Sequence, residues 1–436
     1  MTLSEGWDPG PRPHWVQAAN RGDVAPITDE ARLPLTRESL LGEARARLGL
    51  GPEAGVGAID GDDRFLEPLD VVLKALDEEA ELTVVGRWTT RRFLLRLLEV
   101  RFQLAAHVRV DPGVREEVVE APIVVTGAPR TGTTALFGAL AAEPGLRAPE
   151  GWELLRPVPS PDPDRFPDVA RVALADEELR RLNAISSGLD AIHVYAGRMP
   201  KECLSAMSFA FLSEEFTARY HVPSYVAHLA RADMAPAYEV HRLVLQVLQR
   251  RFGPVQWLLK SPVHLHSLDE LFAVYPDARL VVTHRDPLKI LPSVSSLVAT
   301  LRWAHSDRVD LGEIGGYHAE LYGRALDALA AAEGGGSLDP VRTHHAHHAD
   351  IVADTVAAAR GVHDGLGLPL PPEDEAAVVA AVAATPLGAH GEHRYAFADL
   401  GLDAVTERQR FGRYVEVFGV PVEDPAASPV PGASSR

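Results

Sequence analysis

Cysteine is almost missing from this 436-residue chain. Cys203 stands alone, which excludes an intramolecular disulfide framework and a Cys-rich zinc site. Basic residues are in deficit: 43 Lys and Arg face 61 Asp and Glu, a net charge of −18 with histidine neutral. Phosphate neutralisation along a nucleic acid needs clustered cations, so no nucleic-acid partner is expected. Long apolar runs are also absent. Nothing approaches the roughly 18 residues that would span a bilayer, and the MTLSEGWDPGPRPHW start lacks the basic and apolar stretches of a secretory signal. These absences predict a cytoplasmic protein without a transmembrane segment. The remaining composition, 46% hydrophobic and 24% charged, is that of an ordinary globular chain. Any anionic ligand must therefore be held by a local cradle working against the overall field.

Residues 1–34 are rich in Pro, Gly and charge and read as a flexible arm. Residues 35–115 read as a helical subdomain, in which ESLLGEARARLGL and LEPLDVVLKALDEEA give amphipathic helices and TTRRFLLRLLEVRFQLAAH a long third. The third carries Arg91, Arg92, Arg96 and Arg101 between apolar residues. They read as the solvated face of a packed helix, with a basic surface for lipid or substrate as the alternative. The texture changes at Pro122. PIVVT is a short β-branched run that enters a Gly-rich turn and then helical TALFGALAAE. The alternation recurs as VQWLLK (255–260), HLHSLDELFAVY (264–275), ARLVVTH (278–284) and LKILPSVSSLVATLR (288–302). Buried strands interleaved with helices predict an α/β domain over residues 116–422, a three-layer core around a central parallel sheet. A helical insertion at about 160–250 interrupts it, GGGS at 334–337 is a flexible break, PPEDEAAVVAAVAAT forms a helix, and 423–436 is a flexible tail.

The most informative stretch is GAPRTGTT, running from Gly127 to Thr134 between a strand and a helix. Free backbone N–H groups at a helix start, with the helix dipole, make an anion site that needs no net positive charge. The glycine spacing is that of a P-loop, but Thr133 stands where a nucleotide triphosphatase carries lysine. The basic residue comes earlier, at Arg130, and no magnesium site is evident. Hydroxyls with one arginine suit a phosphosulfate. A second block, THRDPLKILPSVSSL, carries Arg285 at a strand end and Ser293 eight residues later in the next helix. Both can converge on one phosphate.

PIVVTGAPRTGTTAL resembles the 5′-phosphosulfate loop of sulfotransferases that use 3′-phosphoadenosine 5′-phosphosulfate (PAPS), and the Arg285–Ser293 spacing is similar to that family's 3′-phosphate pair. MPKECLSAMSFAFLSEEF, WLLKSPVHLHSLDELFAVYPDARLVVTHRDP and GEHRYAFADLGL look like the large bacterial branch, so the likeness covers most of residues 36–422. It implies a P-loop-like fold, PAPS as sulfuryl donor, no metal, and a hydroxyl or amine acceptor on a small molecule or lipid. It implies that Arg130, Thr131, Gly132, Thr133 and Thr134 hold the phosphosulfate and that Arg285 and Ser293 hold the 3′-phosphate. Arg394 in the late GEHRY loop is a further candidate there. Lys260, at the carboxyl end of a predicted strand where α/β sheets place ligands, matches the lysine that approaches the leaving oxygen.

The acceptor proton needs a base. The cytosolic branch puts a histidine two residues beyond its lysine, but Pro262 stands there, and His264 and His266 follow. Other branches use a glutamate after the phosphosulfate loop, where LRAPEGWELL offers Glu150 and Glu153. Glu153 and His264 are both carried as candidates. Trp257 and Trp303 are candidates to stack on adenine, although large aromatics more often fill cores. The THHAHHAD run (343–350) invites a metal reading, but adjacent histidines on a strand point to opposite faces. A kinase or NTPase on the same scaffold and a non-catalytic nucleotide-binding protein are the competing readings. The oligomeric state, with a homo-oligomer one option, is not legible.

Overall fold

A computed structural model describes residues 7–160, 168–186, 196–384 and 396–425. At its centre lies an all-parallel five-stranded sheet in the order β2-β3-β1-β4-β5. The strands are β1 (Ile123–Thr126), β2 (Leu146–Arg147), β3 (Gln256–Lys260), β4 (Arg279–His284) and β5 (Thr343–His347). The predicted runs at 122–126, 255–260 and 278–284 are β1, β3 and β4. Their residues are buried on both sides, as a sheet covered on two faces requires. Successive side chains divide between the faces. Ile123 and Val125 join a core with the Thr133–Leu140 and Thr355–Leu366 helices. Val124, Leu259, Leu280 and Val282 join the larger core under the Ala235–Phe252, Pro287–Trp303 and Leu311–Gly334 helices.

β1 is central and pairs with β3 through Val125↔Lys260 and with β4 through Thr126↔Val282. The chain leaves β1 toward one edge and later crosses to the other, so the carboxyl ends of β1, β3 and β4 flank the crevice where such sheets bind ligands. The predicted helices of the N-terminal subdomain appear at Arg37–Arg47, Leu66–Glu78 and Val84–Val110, the first and third capped by the Thr36 and Thr83 side chains.

Two expectations change. The proposed loose arm carries helices at His14–Asn20 and Ala25–Ala31. Trp7 is buried with its Nε1 donating to Thr300 Oγ1 at 3.2 Å, and Arg12 lies 3.9 Å over the Trp303 ring. Its Pro and Gly mark turns between anchored apolar residues. The arginines of the Val84–Val110 helix are not a solvated face either: Arg91, Arg96 and Arg101 are all buried. Arg91 pairs with Glu43 and donates to Pro34 O, Arg96 pairs with Glu178, and Arg101 donates to Phe209 O and lies over the Phe65 ring. Buried charge persists only where such partners exist.

Candidate active site

The loop after β1 is shaped by two glycines. Gly127 has φ +141°, and a Cβ there would lie 2.5 Å from the carbonyl and hydroxyl oxygens of Thr283 on β4. Gly132 caps the Thr133–Leu140 helix at φ +91°. Between them Arg130 takes φ +70°, a left-handed conformation that costs a side-chain-bearing residue about 1–2 kcal/mol. Thr131 is buried, donates its hydroxyl to Ala128 O at 2.7 Å and sits 2.5 Å from Thr283 Oγ1, so it braces the loop. Thr133 is buried and Thr134 exposed at the helix start, where first-turn amides lack an i−4 carbonyl.

The two phosphate motifs meet. Arg130 Nε donates to Ser293 Oγ at 3.1 Å, and Arg285 Nη1 donates to Arg130 O at 3.2 Å. Arg285 leaves β4 at its carboxyl end; Ser293 is buried two turns into the Pro287–Trp303 helix, whose start is capped by Asp286. The predicted spacing thus brings Arg130, Arg285 and Ser293 together from three sequence positions. Arg394 lies outside the described residues. Trp257 is fully buried, donating Nε1 to Gln249 at 3.1 Å, and Trp303 lies under Arg12; both are structural aromatics.

Lys260 closes β3 beside this loop. Its Nζ donates to Thr134 Oγ1 at 3.2 Å and to Glu202 Oε1 at 2.5 Å. Glu202 has no counterpart in the sequence-based candidates. Its position comes from the backbone: Cys203 N donates to Lys260 O at 3.0 Å and Lys201 N to Pro149 O at 2.9 Å, which ties the KEC segment to the end of β3. Cys203 itself is buried, and burial pushes its thiol up to about 12.

Glu202 also lines a cavity of about 460 Å³. The cavity begins at Pro129 of the loop and Pro262 after β3, and runs between the Val84–Val110, Asp168–Ile185, Pro287–Trp303 and Leu311–Gly334 helices. Phe93, Leu179, Leu204, Val298, Leu301 and Tyr322 give it apolar walls, and Arg47, Arg92 and Arg181 also line it. The arginine-bearing helix therefore does face a ligand-sized space, through Arg92 and Arg96.

The two sequence-based base candidates stand elsewhere. Glu153 is buried, with Arg147 donating to its oxygens at 2.6 and 3.1 Å and Glu150 N at 2.9 Å, the last as half of a helix capping box. His264 is fully buried with Nδ1 2.9 Å from Tyr238 Oη; burial, then neighbouring His241, pushes its pKa down to about 3. Pro262 and Val263 line the cavity, whereas His264 packs against Tyr238 and His241. Glu150 takes the Trp152 indole N–H, and His266 approaches Glu214 at 3.4 Å. In the THHAHHAD run, His345 Nδ1 lies 2.9 Å from His284 Nε2 and both rings pack on Phe418, while His344 faces Gly361. No cluster of three or more metal-ligating side chains occurs among the described residues.

Residues 122–372 match the model of a sulfotransferase family. The fold superposes on the crystal structure of sulfotransferase STF1 from Mycobacterium tuberculosis with a TM-score of 0.74 at 30% identity, over 87% of this chain and 99% of that one. It superposes on sulfotransferase STF9 from Mycobacterium avium with a TM-score of 0.75 at 26% identity, over 89% and 98%. The omega-hydroxy-beta-dihydromenaquinone-9 sulfotransferase Stf3 of Mycobacterium bovis is 28% identical over 269 residues, 58% of this chain. The same holds for Stf3 of Mycobacterium tuberculosis, and the match spans 64% of the length of these curated relatives.

Proposed function

Because the chain belongs to the sulfotransferase family, we propose that it moves a sulfuryl group from PAPS to the hydroxyl of an apolar alcohol. The observation that carries this reading is the double reach of Lys260, which touches Thr134 on the phosphate loop and Glu202 on the cavity. The loop and the cavity are a donor side and an acceptor side, and one ammonium group joins them.

Arg130, the amides from Gly132 to Thr134 and the Thr134 hydroxyl hold the 5′-phosphosulfate; Arg285 and Ser293 hold the 3′-phosphate. Such a cradle fits the ligand because its donors come from backbone and from arginine forks, which suit oxyanions in a chain of net negative charge. The donor supplies a sulfuryl group whose bond to the 5′-phosphate oxygen breaks as the acceptor oxygen bonds to sulfur. Lys260 sets its positive charge against the oxygen that departs with the bonding pair. Glu202 accepts the proton of the acceptor hydroxyl and later releases it to water. We assign the base to Glu202 because it lines the cavity, whereas Glu153 and His264 do not: Glu153 caps a helix and His264 packs against Tyr238.

Phe93, Leu179, Leu204, Val298 and Leu301 offer wall for the apolar part of an acceptor beside the charged part of the lining, and the Stf3 relative is by name a sulfotransferase of a hydroxylated menaquinone. No described helix is long and apolar enough to cross a membrane. The test is sulfuryl transfer from PAPS to long-chain primary alcohols, followed by mass spectrometry. Wild type should yield the sulfate ester with no added metal. Glu202→Gln should lose at least about 100-fold in kcat while binding the nucleotide unchanged; full activity in that variant overturns the base assignment.

A further inference from the structure

Arg285 is fully engaged in this structure, and its main partner comes from the end of the described chain. Glu423 takes the side-on fork of its guanidinium, Oε1 to Nε at 3.0 Å and Oε2 to Nη2 at 3.2 Å, while Nη1 is spent on Arg130 O. The contact is fastened. Glu423 N donates to Asp286 Oδ2 at 2.6 Å; Asp286 is buried and paired with Arg408 at 2.6 Å, and Arg408 reaches back to Glu423 O at 3.4 Å. The surroundings suit an anion more generally. Burial raises the Glu423 carboxyl pKa, but hydrogen bonding and charge from Arg285, with His348 and Lys289 nearby, outweigh it and hold the group below its ordinary value. A carboxylate in the bidentate position on an arginine is a geometric stand-in for a phosphate.

We propose that Glu423 occupies the place of the donor's 3′-phosphate, so that nucleotide binding and release of the 420–425 segment are one competition. This rests on the assignment of Arg285 to the 3′-phosphate. A phosphate on the same fork must displace the carboxylate, and the apparent affinity is the intrinsic one multiplied by the fraction of molecules in which the fork is free. The C-terminal segment is then an internal competitor that holds the empty enzyme closed to weak anions and yields to a ligand of higher charge.

The experiment is calorimetric titration of the full chain with 3′-phosphoadenosine 5′-phosphate (PAP) and, separately, adenosine 5′-phosphate. Wild type, Glu423→Gln and Arg285→Ala are compared at pH 7.5. Glu423 is partly solvated on a loop, so its glutamine variant is expected to fold. The proposal expects Glu423→Gln to bind PAP at least tenfold more tightly than wild type with no gain for adenosine 5′-phosphate. Amide hydrogen exchange over residues 420–425 should rise when PAP is added to wild type. Unchanged or weaker PAP binding in Glu423→Gln, together with loss in Arg285→Ala, overturns the competition but leaves the 3′-phosphate assignment standing. An equal gain for both nucleotides also overturns it. Arg285→Ala binding PAP as wild type does removes the assignment itself.

Discussion

Lys260 and Glu202 show how far a residue-level reading reaches and where it stops. Arg130, Lys260, Arg285 and Ser293 were open to nomination from the sequence because each stands in a local pattern that resembles a sulfotransferase motif: a Gly-rich turn after a strand, a strand end, a strand-to-helix spacing. Glu202 was not. It lies 58 positions before Lys260 and meets it through a backbone bond from Cys203 that no local pattern announces. Glu153 looked suitable beside Trp152, but its carboxylate serves as a helix cap and as the partner of Arg147. The two glutamates should therefore separate in measurement. Glu153→Gln should lower the melting temperature and leave kcat of the folded fraction within a few-fold of wild type, whereas Glu202→Gln should do the reverse. Gly127→Ala should also damage the site. Its Cβ has no room against Thr283 and its φ disfavours any side chain, so nucleotide affinity measured by calorimetry should fall by at least tenfold, with some loss of stability.

The elements of the α/β core follow from buried β-branched runs and their intervening helices, which is why β1, β3 and β4 were readable. The two-residue β2 was not, because a strand that short carries no period. The Val84–Val110 helix was found, but its arginines were given the wrong surroundings, since periodicity alone does not say which neighbour supplies a carboxylate. The structure supplies Glu43 to Arg91. Arg91→Ala should cost on the order of 3 kcal/mol in chemical denaturation, because it breaks a buried hydrogen-bonded pair. A value under 1 kcal/mol would contradict that role. A second element-level link joins the Thr355–Leu366 helix to the turn after the Thr133–Leu140 helix, where His363 Nε2 lies 3.1 Å from both Glu143 oxygens. The hydrogen bond to Glu143 outweighs burial and raises the His363 pKa above its ordinary 6.5. A raised folded-state value means this stabilisation is complete below pH 6.5 and is lost as pH climbs through the raised value. Melting temperature should fall over that window, and His363→Gln should flatten the fall.

On the scale of the molecule, the acidic chain brings Arg130, Lys260 and Arg285 to one crevice and leaves beside it a cavity with both apolar and charged walls. The cavity joins helices from the N-terminal subdomain, the insertion and the α/β core, so no single segment of sequence reveals it. Leu297→Trp, projecting from the Pro287–Trp303 helix into this space, should raise KM for a long-chain alcohol at least tenfold while leaving nucleotide affinity unchanged. Equal KM values would move the acceptor elsewhere. On the proposed function, the crevice takes a 3′-phosphorylated nucleotide and needs no metal. The most direct measurement is calorimetric titration of the wild-type chain with PAP, ADP and ATP, with and without magnesium. Metal-independent binding of PAP, with ADP and ATP at least tenfold weaker, is the predicted result. A preference for ATP that appears on adding magnesium would contradict the account and point to phosphoryl transfer on the same scaffold.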